Sequence, residues 1–464
     1  MVDNKVIFLK SQMEKFYLKD NRPWIVGLSG GKDSTCITQL VYEMLLGLPP
    51  EKRKKKVFVL SSDTLVESPI ADKRRKEICF NIEKQARIDN IPLFVKILRP
   101  ELGDTFWVNL IGRGYPSPNR WFRWCTDRLK ISPMNKFTLE QVKENGEVII
   151  VLGIRKSESQ NRQRTIESYE IKDTNLSKHS EIPGALIYAP LGDWKEKEVW
   201  NFLLSTPSPW GDDNRELLKY YSKGEDEIEF IIDNKGKAGG SSRMGCWVCT
   251  VVPRDWSLEG FINDGESWLL PLLNFRNKLQ KIREDPSFRE DTLKVEKKKK
   301  IIAEILGKQF NGIERYGHKM LGPFTLKTRH ELLLDLIELQ NNFELKKRQI
   351  SLISPEEIQA IITLWIYEGD NLYEIVDVLR KAGASEFFVN HLLNQSKNEV
   401  IEIQNSICKK YQITPELINK LLVIENDLSG LSRRHGIYNR LDTVIENYVL
   451  NEMKKDAEAT RENT

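Results

Sequence analysis

The residue types best suited to chemistry are gathered in Ser29-Gly30-Gly31-Lys32-Asp33-Ser34. Two consecutive glycines let backbone N–H groups converge on an anion without side-chain obstruction, and a following helix would aim its partly positive N-terminus at the same place. Ser29 and Ser34 add hydroxyls, Lys32 a cation, and Asp33 a carboxylate able to reach a magnesium ion or to orient the loop. The four-residue spacer and second Gly-Lys of a Walker A loop are absent. The stretch is therefore a shorter phosphate cradle, the alternative being an ordinary strand-to-helix turn with an exposed lysine. Gly153-Ile154-Arg155 follows another apolar run, where the arginine can grip a phosphate bidentately or serve as a salt-bridge partner.

Six cysteines, at positions 36, 79, 125, 246, 249 and 408, are too sparse for a disulfide scaffold and read as thiols of a reducing, cytoplasmic compartment. The one close pair is Cys246-Trp247-Val248-Cys249, which can be a redox dithiol, half of a zinc site or part of an iron–sulfur site. No second CxxC or HxxxH completes a zinc finger. Cys125 is the third candidate thiol, while Cys36 and Cys79 fall in expected helices as small core residues and Cys408 takes no role. Around Cys125, Arg113, Arg120, Arg123 and Arg128 interleave with Tyr115, Trp121, Phe122 and Trp124. Such a mixture reads single-stranded nucleic acid if the aromatics are exposed, or else packs as an amphipathic segment on the nucleotide domain.

The surrounding elements must hold these groups in place. Trp24-Ile25-Val26 is a short apolar strand ahead of the glycine turn, and Ile37, Leu40, Val41, Met44, Leu45 and Leu48 recur at helical spacing until Pro49-Pro50. Val57 to Leu60, Leu93 to Leu98 and Val148 to Leu152 read as further buried strands, with a helix from Lys73 to Ile88. Asp193 is expected to cap a helix that packs Trp194, Val199, Trp200 and Leu203. Alternating strands and helices predict an α/β, doubly wound and mostly parallel sheet. Residues 1–19 form an N-terminal helical segment, 20–260 the nucleotide domain, 261–324 a helical connection and 325–464 an additional helical C-terminal region. Ser354-Pro355-Glu356-Glu357 and Thr414-Pro415 are helix openings in that last part, which follows the lysine run Lys297 to Lys300.

With 464 residues, 40% hydrophobic and 30% charged, the chain is long enough for two or three ordinary domains. No run of eighteen apolar residues and no secretory signal is present, so neither a membrane nor an export role is expected. Seventy-one Lys and Arg against 67 Asp and Glu leave a net charge of +4, too little to mark a nucleic-acid binder in bulk.

The SGGxDS pattern resembles the PP-loop ATP pyrophosphatases, which split ATP between the α and β phosphates. Ser62-Asp63-Thr64 with Glu67, Gly153-Ile154-Arg155 with Glu158, Ser159, Arg162 and Arg164, and Tyr188 to Trp194 with Glu198-Val199-Trp200 resemble its phosphoadenylylsulfate reductase branch. Joined with Arg120 to Lys130 and Arg243-Met244-Gly245-Cys246-Trp247-Val248-Cys249, the pattern resembles the Dnd-type sulfurtransferases of bacterial DNA phosphorothioation.

That resemblance implies an adenine nucleotide alpha-hydrolase-like fold holding ATP and Mg2+. Lys32, Asp33 and Arg155 would be catalytic, with nucleotide contacts from Ser29, Gly30, Gly31, Lys32, Asp33, Ser34, Asp63, Gly153 and Arg155. It also implies a 4Fe–4S cluster on Cys125, Cys246 and Cys249, although the usual cysteine upstream of the pair is replaced by Gly239-Gly240. The implied reaction adenylylates a DNA backbone phosphate and lets sulfur displace AMP. The implied partners are the DNA backbone, a cysteine desulfurase and other phosphorothioation-system proteins. The rival readings are a tRNA-thiolating ATP pyrophosphatase, a non-enzymatic ATP-dependent assembly component, and a sulfonucleotide reductase. The reductase calls for a mobile nucleophilic cysteine near the C-terminus, and the last 56 residues hold none.

Overall fold

The computed structural model describes residues 4–156, 171, 174–221, 245–291, 314–315, 318–319 and 321–367, with scattered positions from 377 to 448. Glu158, Ser159, Arg162, Arg164, the Gly239-Gly240 pair, Arg243, Met244 and the lysine run lie outside the described residues.

The frame is a six-stranded sheet of order β3-β2-β1-β4-β6-β5. Its strands are β1 (Trp24–Gly27), β2 (Val57–Ser62), β3 (Leu93–Leu98), β4 (Val148–Val151), β5 (Leu176–Lys178) and β6 (Ala185–Tyr188). All neighbours run parallel except β5, which pairs antiparallel with β6. The four apolar runs read from sequence are β1 to β4. β5 and β6 are additions, because Leu176-Ser177-Lys178 and Ala185-Leu186-Ile187-Tyr188 are short and lack a long apolar run.

Period-two alternation divides the strand residues between two layers. Trp24, Val26, Val57, Val59, Ile149 and Val151 face one apolar layer with α1 (Asn4–Leu18), α2 (Lys32–Gly47), α3 (Pro69–Ile88) and α5 (Glu196–Ser205). Ile25, Phe58, Leu60, Val148 and Ile150 face the other, against Met134, Phe137 and Val142 of α4 (Ser132–Asn145). Cys36, Cys79, Trp194 and Trp200 are all buried in the first layer, as their sequence context predicts. Asp193 is not a helix cap. The chain turns at Leu191 to Trp194, so α5 begins only at Glu196, and Glu198 accepts the Lys195 N–H at 2.7 Å. Asp193 instead receives Lys156 Nζ at 2.9 Å.

From β1 the strand order grows one way through β2 and β3 and then the other way through β4 and β6. Such a reversal leaves a crevice beyond the carboxyl ends of β1 and β4, where open α/β sheets hold ligands. Ser29 to Ser34 follows β1, and Gly153 to Arg155 follows β4.

The chain divides into two compact units, each discontinuous in sequence: residues 1–106, 117–280 and 342–352, and residues 107–116, 281–341 and 353–464. In the second unit a wide π-type turn at Val108–Gly112 is gripped by later helices. Trp365 Nε1 donates to Ile111 O at 3.2 Å and Arg329 Nη1 to Gly112 O at 2.8 Å. The helix Pro355–Tyr367 opens with the expected reciprocal cap: Glu357 N–H donates to Ser354 Oγ at 3.2 Å, and Ser354 N–H to Glu357 Oε2 at 3.0 Å. Among the described residues no helix is long and apolar enough to cross a membrane.

Candidate active site

The glycine turn is shaped by its own serines. Ser34 Oγ donates to Gly31 O at 2.9 Å and accepts the Ser29 N–H at 3.2 Å, with Ser29 Oγ 3.0 Å away. Gly30 has φ +81°, a left-handed backbone that strongly favours glycine. Gly31 stands at the N-cap of α2 and no side chain caps the helix, which suits its N-terminus to an anionic ligand. The turn is pressed against the chain leaving β4. A Cβ at Gly153 would lie 2.4 Å from Asp33 O, so only glycine admits this approach.

Arg155 is buried and its Nε donates to Asp33 Oδ1 at 2.5 Å. Lys32 Nζ lies 3.5 Å from Asp33 Oδ2 and 3.2 Å from Glu196. The structure thus brings Lys32, Asp33, Gly153 and Arg155 together at the mouth of the crevice. Asp33 has both oxygens engaged by cations, a geometry that fits orienting the loop. Among the described residues no group of three or more Cys, His, Asp or Glu is arranged to hold a metal ion, so magnesium has no ready-made protein cage here.

Asp63 follows β2 in a separate charged knot. Its carboxylate accepts Arg99 Nε at 3.0 Å and the Leu65 N–H at 3.2 Å, with Arg75 Nη2 at 3.4 Å. Arg75 is itself buried and also holds Glu67 at 2.9 Å and Asp72. Burial raises the Glu67 carboxyl above the usual range, with Arg75 and Lys130 working against that rise. Leu65 is held at φ +64°, a conformation a branched side chain rarely takes, so this turn stores strain.

The same turn carries the thiols. Glu67 and Cys246 form an isolated antiparallel bridge, Ser68 N–H donates to Gly245 O at 3.0 Å and Trp247 N–H to Val66 O at 3.1 Å. Cys246 Sγ lies 3.3 Å from Thr64 Oγ1. Cys125 is close enough to Cys249 for their charges to interact, and the Lys130 ammonium interacts with Cys246, Glu67, Cys125 and Cys249. Lys130 reaches them from a second π-type turn, Asp127–Ile131, that follows the short helical turn Trp124–Thr126. Burial pushes the Cys125 thiol up to about 11 and the Cys246 thiol up to about 12, so both are protonated near neutrality. All three thiols lie within electrostatic reach of Lys130, but as placed they do not form a metal-holding group among the described residues. A 4Fe–4S cluster on these residues would have three cysteine thiolates and an open or non-cysteine fourth position. As placed, Cys125 and Cys246 are neutral thiols beside the Lys130 ammonium.

Two positioning residues escape sequence reasoning. Arg75 is one. The other is Arg276, fully buried, whose guanidinium receives the chain leaving the cysteine pair: Nε donates to Cys249 O at 2.9 Å, Nη1 to Pro253 O at 3.1 Å and Nη2 to Val252 O. The available signal was an arginine among Leu272, Leu273, Phe275 and Leu279 on one helix, since a charge in apolar company must be paired.

A family model for the phosphoadenosine phosphosulfate reductase domain matches residues 23–252. Those bounds enclose the glycine turn, Asp63, Gly153, Arg155 and Cys125, Cys246 and Cys249. Residues 23–252 are a phosphoadenosine phosphosulfate (PAPS) reductase-like domain. An uncharacterised protein of Methanocaldococcus jannaschii is 28% identical over 249 residues, and the match spans 54% of this chain but only 40% of that protein. Among solved structures, a Candida auris phosphoadenylyl-sulfate reductase in a phosphate complex aligns at 14% identity with a TM-score of 0.27, covering 47% of this chain and 94% of its own. A U34-tRNA thiolase of Methanococcus maripaludis with its 4Fe–4S cluster aligns at 15% and 0.29, covering 60% and 80%. The PAPS reductase-like domain here supplies the mostly parallel sheet, and a helical region follows it.

Proposed function

We propose that the PAPS reductase-like domain is an ATP pyrophosphatase that adenylylates a DNA backbone phosphate so that sulfur can replace a nonbridging oxygen. The observation that carries this reading is the uncapped glycine turn at the switch point of the sheet, with Gly153 pressed against it and Lys32 at its rim. The α2 N-terminus and Lys32 are placed to stabilise charge on the leaving pyrophosphate as an acceptor oxygen attacks the α phosphorus. Arg155 acts through Asp33, holding the turn in shape. AMP is then the leaving group when sulfur attacks the modified phosphorus.

The thiol set suits the second half of the reaction. Neutral thiols are poor nucleophiles, so Cys125 and Cys246 at rest do not compete with the acceptor oxygen for the activated phosphorus. One thiol of the Cys246–Cys249 pair would take the outer sulfur of a desulfurase persulfide, and that sulfur attacks phosphorus and expels AMP. The second thiol then attacks the bridging cysteine sulfur to free the phosphorothioate, and the resulting Cys246–Cys249 disulfide is reopened by an external thiol reductant. Cytoplasmic placement and the other phosphorothioation-system proteins belong to the same proposal.

The test is mass spectrometry of nuclease-digested DNA and tRNA after incubation together with ATP, cysteine, a desulfurase, a thiol reductant and the protein. Phosphorothioate dinucleotides that vanish without ATP and in Cys246→Ser support the reading. Sulfur found in tRNA and not in DNA would replace the acceptor, and neither product would remove the proposal.

A further inference from the structure

Trp121 is the most solvent-exposed large apolar side chain among the described residues, at 90%. Its loop is nevertheless firmly built. Ser117 is fully buried and its Oγ donates to Leu279 O at 3.0 Å. Thr250, the residue after Cys249, donates through Oγ1 to Pro118 O at 2.7 Å. Asn119 Oδ1 accepts the N–H groups of both Trp121 and Phe122 at 2.8 Å. Behind them Trp124 is buried and stacked on Phe106 with centroids 5.2 Å apart. A loop pinned at four points holds an indole in water, at a cost in apolar exposure that the packing nearby does not recover.

The neighbours of that indole define what it fits. Phe122 is partly exposed, and Arg120 and Arg123 on either side are exposed cations. Cys125 is four residues on, and Thr250 ties the loop to the cysteine pair. An aromatic face between two arginines complements a flat base flanked by phosphates. In duplex DNA both faces of a base are occupied by its neighbours, so only an unpaired base can use such a surface.

We propose that Trp121, flanked by Arg120 and Arg123, is a stacking platform for one unpaired base of the DNA acceptor, holding the adjoining backbone phosphate beside the thiols. This rests on the DNA-acceptor reading above and adds to it that the acceptor is single-stranded or locally opened where it is modified.

The test uses the full chain and a single-stranded deoxyoligonucleotide carrying one 2-aminopurine, whose fluorescence is quenched by stacking. A twin oligonucleotide has an abasic site in its place. Trp121→Ala should abolish the added quenching and weaken binding roughly five- to hundredfold, whereas Trp121→Phe should retain most of both. On the abasic twin, wild type and Trp121→Ala should bind alike. Removing Arg120 and Arg123 should make log K against log salt shallower by about 0.7 per arginine on either oligonucleotide. Unchanged quenching in Trp121→Ala, or an equal loss on the abasic twin, would overturn the platform. Trp121-dependent quenching confined to a ribo-oligonucleotide would overturn the DNA assignment. ATP-dependent pyrophosphate release, measured in parallel, separates the two proposals: stacking without it leaves the platform and removes the ATP reading, and release with no Trp121 dependence of binding does the reverse.

Discussion

Replacing Gly153 by alanine tests the idea that the glycine turn and the chain leaving β4 act as one device. The new Cβ would lie 2.4 Å from Asp33 O, 2.8 Å from Asp33 C and 3.2 Å from Ile37 Cγ2. Ordinary contact begins near 3.4 Å, so about 1 Å must be found, and the nearest atoms are backbone that no rotamer change can move. Asp33 is the second residue of α2, so its retreat carries the first N–H groups of that helix with it. Overpacking of this kind costs roughly 1–3 kcal/mol in stability. A misplacement of about 1 Å at reacting groups costs on the order of a hundredfold in rate. Gly146 is the control, because its φ of +79° opposes a side chain while open space surrounds it, so Gly146→Ala should lose about 1–2 kcal/mol by handedness alone. Thermal unfolding and chromatographic measurement of AMP and pyrophosphate would be run on both variants. Both should melt earlier, and only Gly153→Ala should lose turnover. A Gly153→Ala protein with wild-type turnover and ATP affinity would show that the glycine turn does not depend on the chain leaving β4.

Arg75→Met keeps the length of the stem but leaves Asp63, Glu67 and Asp72 without their shared cation, a loss of about 3–5 kcal/mol by urea unfolding at neutral pH. The loss should shrink as pH falls, because the Glu67 carboxyl already protonates above the usual range. With thiols at about 11 and about 12, Cys125 and Cys246 should alkylate at least a hundredfold more slowly than a free cysteine at pH 8, read by peptide mass spectrometry. Their folded values lie above the unfolded one, so the stability they contribute is complete below about pH 8.5 and is lost as pH rises towards 12. Ser354→Ala should cost about 1 kcal/mol through the cap of Pro355–Tyr367, seen as a lower unfolding midpoint with pyrophosphate release unchanged.

The central strands and the glycine turn were legible because their signals are local: apolar runs at Trp24, Val57, Leu93 and Val148, and a glycine pair between a strand and a helical repeat. Strand order was not, since side-chain periodicity carries no neighbour information, and the antiparallel β5 depends on a pairing with β6 that no short window records. That Cys125 belongs with Cys246 and Cys249 was an expectation from the resemblance; in the structure all three lie within electrostatic reach of Lys130. The bridge from Glu67 to Cys246, which builds the site, spans most of the domain and leaves no local trace. Arg155 was expected at a phosphate, and its partner in the structure is Asp33. The spacing showed that the two groups follow different strands but not that adjacent strands bring them together. Trp121 and Trp124 are three residues apart with similar surroundings. One is exposed and the other buried, because Asn119 gathers the N–H groups of Trp121 and Phe122 while Phe106 stacks on Trp124.

In the proposed function the turn at Ser29 to Ser34 supports cleavage of ATP between its α and β phosphates. The most direct measurement is the identity of the products when the protein meets ATP in the presence of DNA. AMP and pyrophosphate, dependent on DNA and lost in Lys32→Ala, are the predicted result. ADP and inorganic phosphate, or the same AMP yield from a folded Lys32→Ala protein, would contradict it.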